Sequence, residues 1–263
     1  ISLLAGLVTP THARIDLSNP PFHVNNYGYA EGLSHSVVTA ICQDNKGYIW
    51  VGTQFGLNRF NGATFVHYFK QAKTQSIPSN EITALLVDRR NRIWVGTTAG
   101  LGYLDEDYKF HSVSFPENNH LYKNQSIKDI VMDTEGRILI ATANGLWMLD
   151  STLSYRPTQF DFLRSGIIDD IDLKDDALWV VRGQDILVVS NLYSNPSLEI
   201  SILTSQLGQI IPMMIKHTDQ FIWILGIEQF KYFNRIKNIW VEQERPITSA
   251  FTHVYDVKYV DDS

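Results

Sequence analysis

Two sets of residues in this chain have the chemistry to catalyse or to hold a metal. They are eight scattered histidines and the run Asp169-Asp170-Ile171-Asp172, with Asp175-Asp176 close behind. Carboxylates at that density are the donor set of a hard cation. Strand alternation, however, puts Asp170 and Asp172 on one face and Asp169 on the other, so the run reads as the solvated edge of a poorly conforming repeat. His67 and His111 stand 44 residues apart, which suggests the same outer-strand slot in two copies of a unit, with a structural role. Nothing matches a phosphate loop, a G-x-S-x-G elbow or an H-E-x-x-H helix. The single cysteine, Cys42, sits in Val38-Thr-Ala-Ile-Cys42 and reads as a buried strand residue without a disulfide partner. The expectation is therefore no catalytic residue, no metal and no cofactor.

The elements that position these residues come from an internal repeat. Asp44, Trp50, Gly52-Thr53 and Gly56-Leu57 recur as Asp88, Trp94, Gly96-Thr97 and Gly100-Leu101, each 44 residues on. A third copy runs through Asp133, Leu139, Ala141-Thr142 and Gly145-Leu146, with Leu139 in the Trp position. Two degenerate copies keep only Trp179 and Trp223, and a sixth begins at Val254. Within a copy, Val38 to Cys42 is a β-branched apolar strand. Asp44 to Gly47 is a turn with Asp first and Gly last, as a type I turn prefers. Tyr48 to Thr53 and Leu57 to Phe60 make two more strands, and Asn61-Gly62 is a hairpin signal before a fourth at Thr64 to Tyr68.

Four short antiparallel strands in about 44 residues make a propeller blade. The fold class is all-β, a β-propeller with about five blades present as part of a seven-bladed ring. The expected blades are 32–69, 79–115, 126–162, 167–203 and 210–244, with a partial one at 250–263. Residues 22–27 are expected to supply a closing outer strand. The tryptophans should fill blade-to-blade core, and the Gly of Trp-x-Gly-Thr should let the next sheet approach.

Composition agrees with a packed domain: 44% of residues are hydrophobic and 19% charged, too apolar for a disordered chain. A formal charge of −6 without clustered Lys and Arg excludes a broad nucleic-acid footprint. Ile1 to Val8 is a short apolar run followed by Thr11-His12-Ala13, which has the logic of a signal-peptidase site; it is too short to span a bilayer. Residues 1–13 are expected to be the remnant of an export signal, and 14–263 a single, incomplete propeller domain.

The stretch Gly32-Leu-Ser-His-Ser-Val-Val-Thr-Ala-Ile-Cys-Gln-Asp-Asn-Lys-Gly-Tyr-Ile-Trp-Val-Gly-Thr-Gln-Phe-Gly-Leu-Asn-Arg-Phe-Asn-Gly62 resembles the two-component-regulator propeller repeat. The resemblance covers residues 22–150 closely and 165–260 loosely. It implies the periplasmic sensor region of a bacterial membrane receptor, followed by a transmembrane helix and a histidine kinase or diguanylate cyclase output domain. It also implies a homodimeric receptor and a small molecule or oligosaccharide as ligand. A propeller lyase or hydrolase, or an interaction scaffold that does not switch, are the alternatives. In such a blade, the loop between strands two and three emerges beside the inter-blade connection. That face collects His35, Gln54, Phe55, Asn80, Thr98, Asn124 and Asn144 as candidate ligand-binding residues, since rigid scaffolds concentrate binding on their loops.

Overall fold

A computed structural model of the chain describes residues 25–72, 75–115, 125–156, 163–174, 176–192, 197–200, 211–226 and 229–244. The expected export-signal segment 1–13, residues 22–24, Asn124, Asp175 and the partial blade 250–263 lie outside the described residues. Of the expected closing strand, 25–27 are described and carry no strand; the Tyr27 ring packs 4.8 Å from Phe60 and 6.1 Å from Phe65.

Among the described residues the chain forms five four-stranded antiparallel sheets, each in simple up-and-down order. The first holds β1 (Val38–Gln43), β2 (Ile49–Thr53), β3 (Gly56–Phe60) and β4 (Phe65–Tyr68). The second holds β5 (Ile82–Val87), β6 (Ile93–Thr97), β7 (Gly100–Leu104) and β8 (Phe110–Val113). The third runs through β9 (Ile127–Met132), β10 (Ile138–Thr142), β11 (Gly145–Leu149) and β12 (Tyr155–Arg156). The fourth contains β13 (Asp170–Lys174), β14 (Ala177–Arg182), β15 (Asp185–Ser190) and β16 (Ser197–Ile200). The fifth contains β17 (Pro212–His217), β18 (Phe221–Gly226), β19 (Gln229–Asn234) and β20 (Ile239–Glu244). First strands of successive sheets lie side by side, β1 by β5, β5 by β9, β9 by β13 and β13 by β17. They are therefore the innermost strands, and the sheets are blades around a common axis.

Every residue of the repeated module has a structural task. Asp44 is buried and works with both oxygens: Oδ1 accepts from the Lys46 and Tyr48 amides, and Oδ2 accepts from Trp50 Nε1 at 2.9 Å. Asp88 and Trp94 repeat this bond at 2.9 Å, which explains the fixed Asp-to-Trp spacing. In the third blade Leu139 has no indole to offer, and Asp133 keeps the turn amides and Arg137 Nε. The module Thr closes the next turn. Thr53, Thr97 and Thr142 donate to the carbonyls of Gly56, Gly100 and Gly145 and accept an amide from inside the turn.

The Gly before that Thr does what close packing requires. A Cβ on Gly52 would lie 2.6 Å from Ile82 Cγ2, and one on Gly96 would lie 2.6 Å from Ile127 Cγ2. The missing side chain lets the first Ile of the following blade wedge in, and Ile82 and Ile127 are fully buried there. Burying each such side chain contributes roughly 1.5–3 kcal/mol. Trp50 and Trp94 are also fully buried, as the repeat predicts. Trp179 and Trp223 are only half-buried, Trp179 against the His217 ring at 4.6 Å and Trp223 against Tyr232 at 4.9 Å.

Two expectations are corrected. His67 and His111 do not share a slot: His67 pairs with Asn58, whereas His111 pairs with Tyr103, one position out of step. The turn between β7 and β8 carries one more residue than the turn between β3 and β4, so equal sequence spacing puts the two rings on opposite faces. Each does have a structural partner, His67 Nε2 on the Gly32 carbonyl at 2.7 Å and His111 Nε2 on Asp105 Oδ2 at 2.6 Å. That second bond holds the partly exposed Asp105 carboxyl below its ordinary range. The aspartates at 170 and 172 are likewise no solvated edge. They share a face of an innermost strand, and that face is turned on the next blade.

Candidate functional site

The β2–β3 turn and the lead-in to the blade lie at one end of each module. Gln54 N donates to the Val37 carbonyl, Thr98 N to Glu81 and Ala143 N to Ser126, at 3.0–3.2 Å. These bonds put His35 beside Gln54 and Phe55, and Asn80 close to Thr98. Asn124 lies outside the described residues, while its neighbour Gln125 is buried with both amide atoms unpartnered.

The candidates divide by what their side chains already do. His35 Nδ1 accepts the Val37 amide at 3.1 Å, which organises its own loop. Asn80 is committed to the scaffold: Oδ1 accepts Lys70 N at 2.7 Å, and its carbonyl accepts Gly56 N at 2.7 Å across the blade boundary. Thr98 donates to Ser79 Oγ at 3.2 Å. Gln54, Phe55 and Asn144 are exposed. Phe55 is 52% exposed and lies 5.8 Å from the Phe69 ring, and the His67 ring is also 5.8 Å from Phe69. This aromatic strip on the first blade includes Phe69, which follows β4 directly and was not singled out by the repeat because it lies outside the module. Gly56, at φ 114°, could not carry a Cβ beneath it, since Phe69 Cε1 would be 2.6 Å away.

Next to this strip, between β4 and the β7–β8 hairpin, lies a cavity of about 330 Å³. Ile77, Leu104 and Phe110 form its apolar floor, and His67, Ser76 and Lys109 its polar rim. The Tyr108 hydroxyl is buried there without a hydrogen-bond partner. Burial pushes the neighbouring Tyr68 phenol up, against the lowering effect of Arg59.

A second constellation sits among the innermost strands. Lys216 Nζ on β17 lies 3.4 Å from Asp129 Oδ2 on β9 and 3.5 Å from Asp170 Oδ1 on β13. Asp170 Oδ2 accepts Ile215 N at 2.8 Å, and Asp129 Oδ1 accepts Ile130 N at 2.8 Å. Two residues along β13, Asp172 Oδ2 accepts both His217 N and His217 Nδ1 at 2.7 Å. The aspartates of β13 thus take inward amides of β17, which no sheet ladder satisfies. Asp129, Asp170 and Lys216 border a cavity of about 30 Å³, which Thr39 and Thr83 also line. Both hydroxyls are buried and lack a hydrogen-bond partner. Burial holds the Asp170 carboxyl well above the usual carboxylate range, opposed by Lys216 and reinforced by Asp129. Among the described residues, no group of three or more His, Cys, Asp or Glu side chains converges to hold a metal.

The architecture is that of an all-β propeller with up-and-down blades, its repeated module spent on packing. Residues 32–55 and 76–99 match the family described as Two component regulator propeller. Histidine kinase P4 of Formosa agariphila is 46% identical over 50 residues, which is 19% of this chain and 4% of that protein. The extracellular domain of a hybrid two-component system from B. thetaiotaomicron superposes with a TM-score of 0.70 at 23% identity, over 84% of this chain and 32% of that one. Virginiamycin B lyase from Staphylococcus aureus superposes with a TM-score of 0.63 at 15% identity, over 90% of this chain and 78% of that one. The chain therefore spans about a third of that extracellular domain.

Proposed function

We propose that this chain is part of the extracytoplasmic ligand-sensing propeller of a bacterial two-component receptor. In this reading the propeller is periplasmic and the receptor a homodimer. Ligand binding passes through a transmembrane segment to a cytoplasmic output domain, a histidine kinase or a diguanylate cyclase. The observation that carries the proposal is the paired family match at 32–55 and 76–99. The likeness to a receptor's extracellular domain supports it. The ligand is a small molecule or oligosaccharide, taken on the face where Gln54, Phe55 and Asn144 are exposed and His35, Asn80 and Thr98 hold the loops.

Thermal shift across a panel of oligosaccharides and small metabolites tests this, because a ligand that binds the folded state raises stability by mass action. The expected result is a concentration-dependent rise with one ligand class, reduced by Phe55→Ala and Gln54→Ala, and no conversion of that ligand. Turnover of a panel compound that is lost on mutating this face would overturn the reading in favour of a propeller enzyme.

A further inference from the structure

One slot of the innermost strand, opposite the Gly of Trp-x-Gly-Thr or its replacement, holds Ala40, Ala84, Asp129, Asp170 and Met214 in successive blades. In the first two blades this slot is a methyl group. In the third and fourth it is a carboxylate, and the two carboxylates sit in adjacent blades facing one ammonium, Lys216. Lys128 also lines the small cavity between them, and the Asp172–His217 pair lies two residues further along. Thr39 and Thr83 face the cavity as neutral hydroxyls without a partner. Asp170 is buried and Asp129 partly so, and two carboxylates this little exposed that share one close cation disfavour double ionisation.

We propose that the Asp129–Asp170 pair, bridged by Lys216, is a proton-binding site on the propeller axis that sets how firmly blades three, four and five hold together. With one proton bound, Asp129 and Lys216 form a balanced ion pair, and the protonated Asp170 oxygen donates within the cavity while its other oxygen still accepts Ile215 N. On losing that proton the two carboxylates carry two negative charges against the one positive charge of Lys216, and one of them, Asp170, is buried. The three blades then hold one another less tightly. The direction follows from linkage. A carboxyl that titrates higher in the folded than in the unfolded chain makes the folded state bind more protons between the two values. Stability is therefore greatest near the ordinary carboxylate range and falls as pH rises through the folded value.

The test uses the whole 263-residue chain. Carboxyl carbon NMR across the acidic to neutral range should show one aspartate titrating well above the others, absent in Asp170→Asn. Its titration should move further up in Lys216→Met. Thermal unfolding over the same range should show a midpoint that falls with pH, and Asp170→Asn should flatten that part of the profile, which separates it from the Asp172–His217 pair. Wild-type spectra in which every aspartate titrates in the ordinary range would overturn the proposal even if the variants do not fold. So would an unchanged pH profile in a folded Asp170→Asn.

Discussion

The first two blades and the fourth and fifth solve the same packing problem by different means. Between blades one and two, and two and three, the contact is apolar and depends on a residue with no side chain: Gly52 admits Ile82, and Gly96 admits Ile127. Asp-to-indole bonds at 2.9 Å then fix the tryptophan on each sheet. Between blades four and five the glycine slot holds Val181, the tryptophan is half-buried, and side-chain carboxylates bond to the backbone of the following strand. A repeat can therefore lose its signature without losing its blade, because a directional carboxylate–amide bond replaces a steric fit. The replacement has a consequence that the apolar junction lacks, since a carboxylate can titrate.

The sharpest way to break this contrast is to fill the glycine. Gly96→Val places a Cβ 2.6 Å from Ile127 Cγ2 in a junction that cannot open without moving a blade. Overpacking of this kind costs about 3 kcal/mol. The same residue type already stands at 181, where blade four has adapted to it. Chemical denaturation should show a large loss for Gly96→Val, and a loss below about 0.5 kcal/mol, the range of a neutral surface change, would show that the wedge does not hold the blades.

The aspartate at the start of each module gives a finer comparison. Asp88→Ala removes acceptors from two turn amides, Arg92 and the buried Trp94 indole, for an expected loss of about 3 kcal/mol. Asp133→Ala removes the same turn and arginine bonds but orphans no indole, because Leu139 stands there. It should cost about 1–2 kcal/mol less, the desolvation of one unpartnered N–H. Equal losses in the two blades would assign the aspartate to the turn alone. Thr97→Val, which removes one hydroxyl donated to Gly100 and accepting Ala99 N, should come next at about 1 kcal/mol.

Much of this was legible in the sequence because the module's residues act within one blade. Asp, Gly and Thr at fixed spacing report turn bonds and a close approach, and these reappear wherever the spacing does. What was not legible depends on neighbours. A single extra residue in the β7–β8 turn moved His111 to the other face from His67, although the offset in sequence is the same as the blade spacing. Asp129, Asp170 and Lys216 come from three blades. Their meeting is implied only by aligning the slot that reads Ala, Ala, Asp, Asp, Met, and by knowing that this slot faces the axis. Phe69 was missed because it lies in a connection, where the repeat carries no information.

The loop face yields the smallest effects on stability and the most direct test of where function resides. Asn80 and Asn144 come from the same kind of reading, yet the Asn80 side chain bonds Lys70 N and its carbonyl Gly56 N, while Asn144 is exposed and its backbone amide is held by Thr142. Asn80→Ala should cost about 1 kcal/mol, the worth of one side-chain-to-backbone hydrogen bond. Asn144→Ala and Phe55→Ala should change stability by less than about 0.5 kcal/mol, as surface substitutions do. If the proposed sensor face is right, the order reverses for ligand-induced thermal shift. The two exposed substitutions should diminish the shift, while Asn80→Ala should lower the midpoint and leave the shift itself nearly intact. A pattern in which binding loss simply tracks stability loss would mean that these loops serve the scaffold, and that the ligand is taken elsewhere on the propeller.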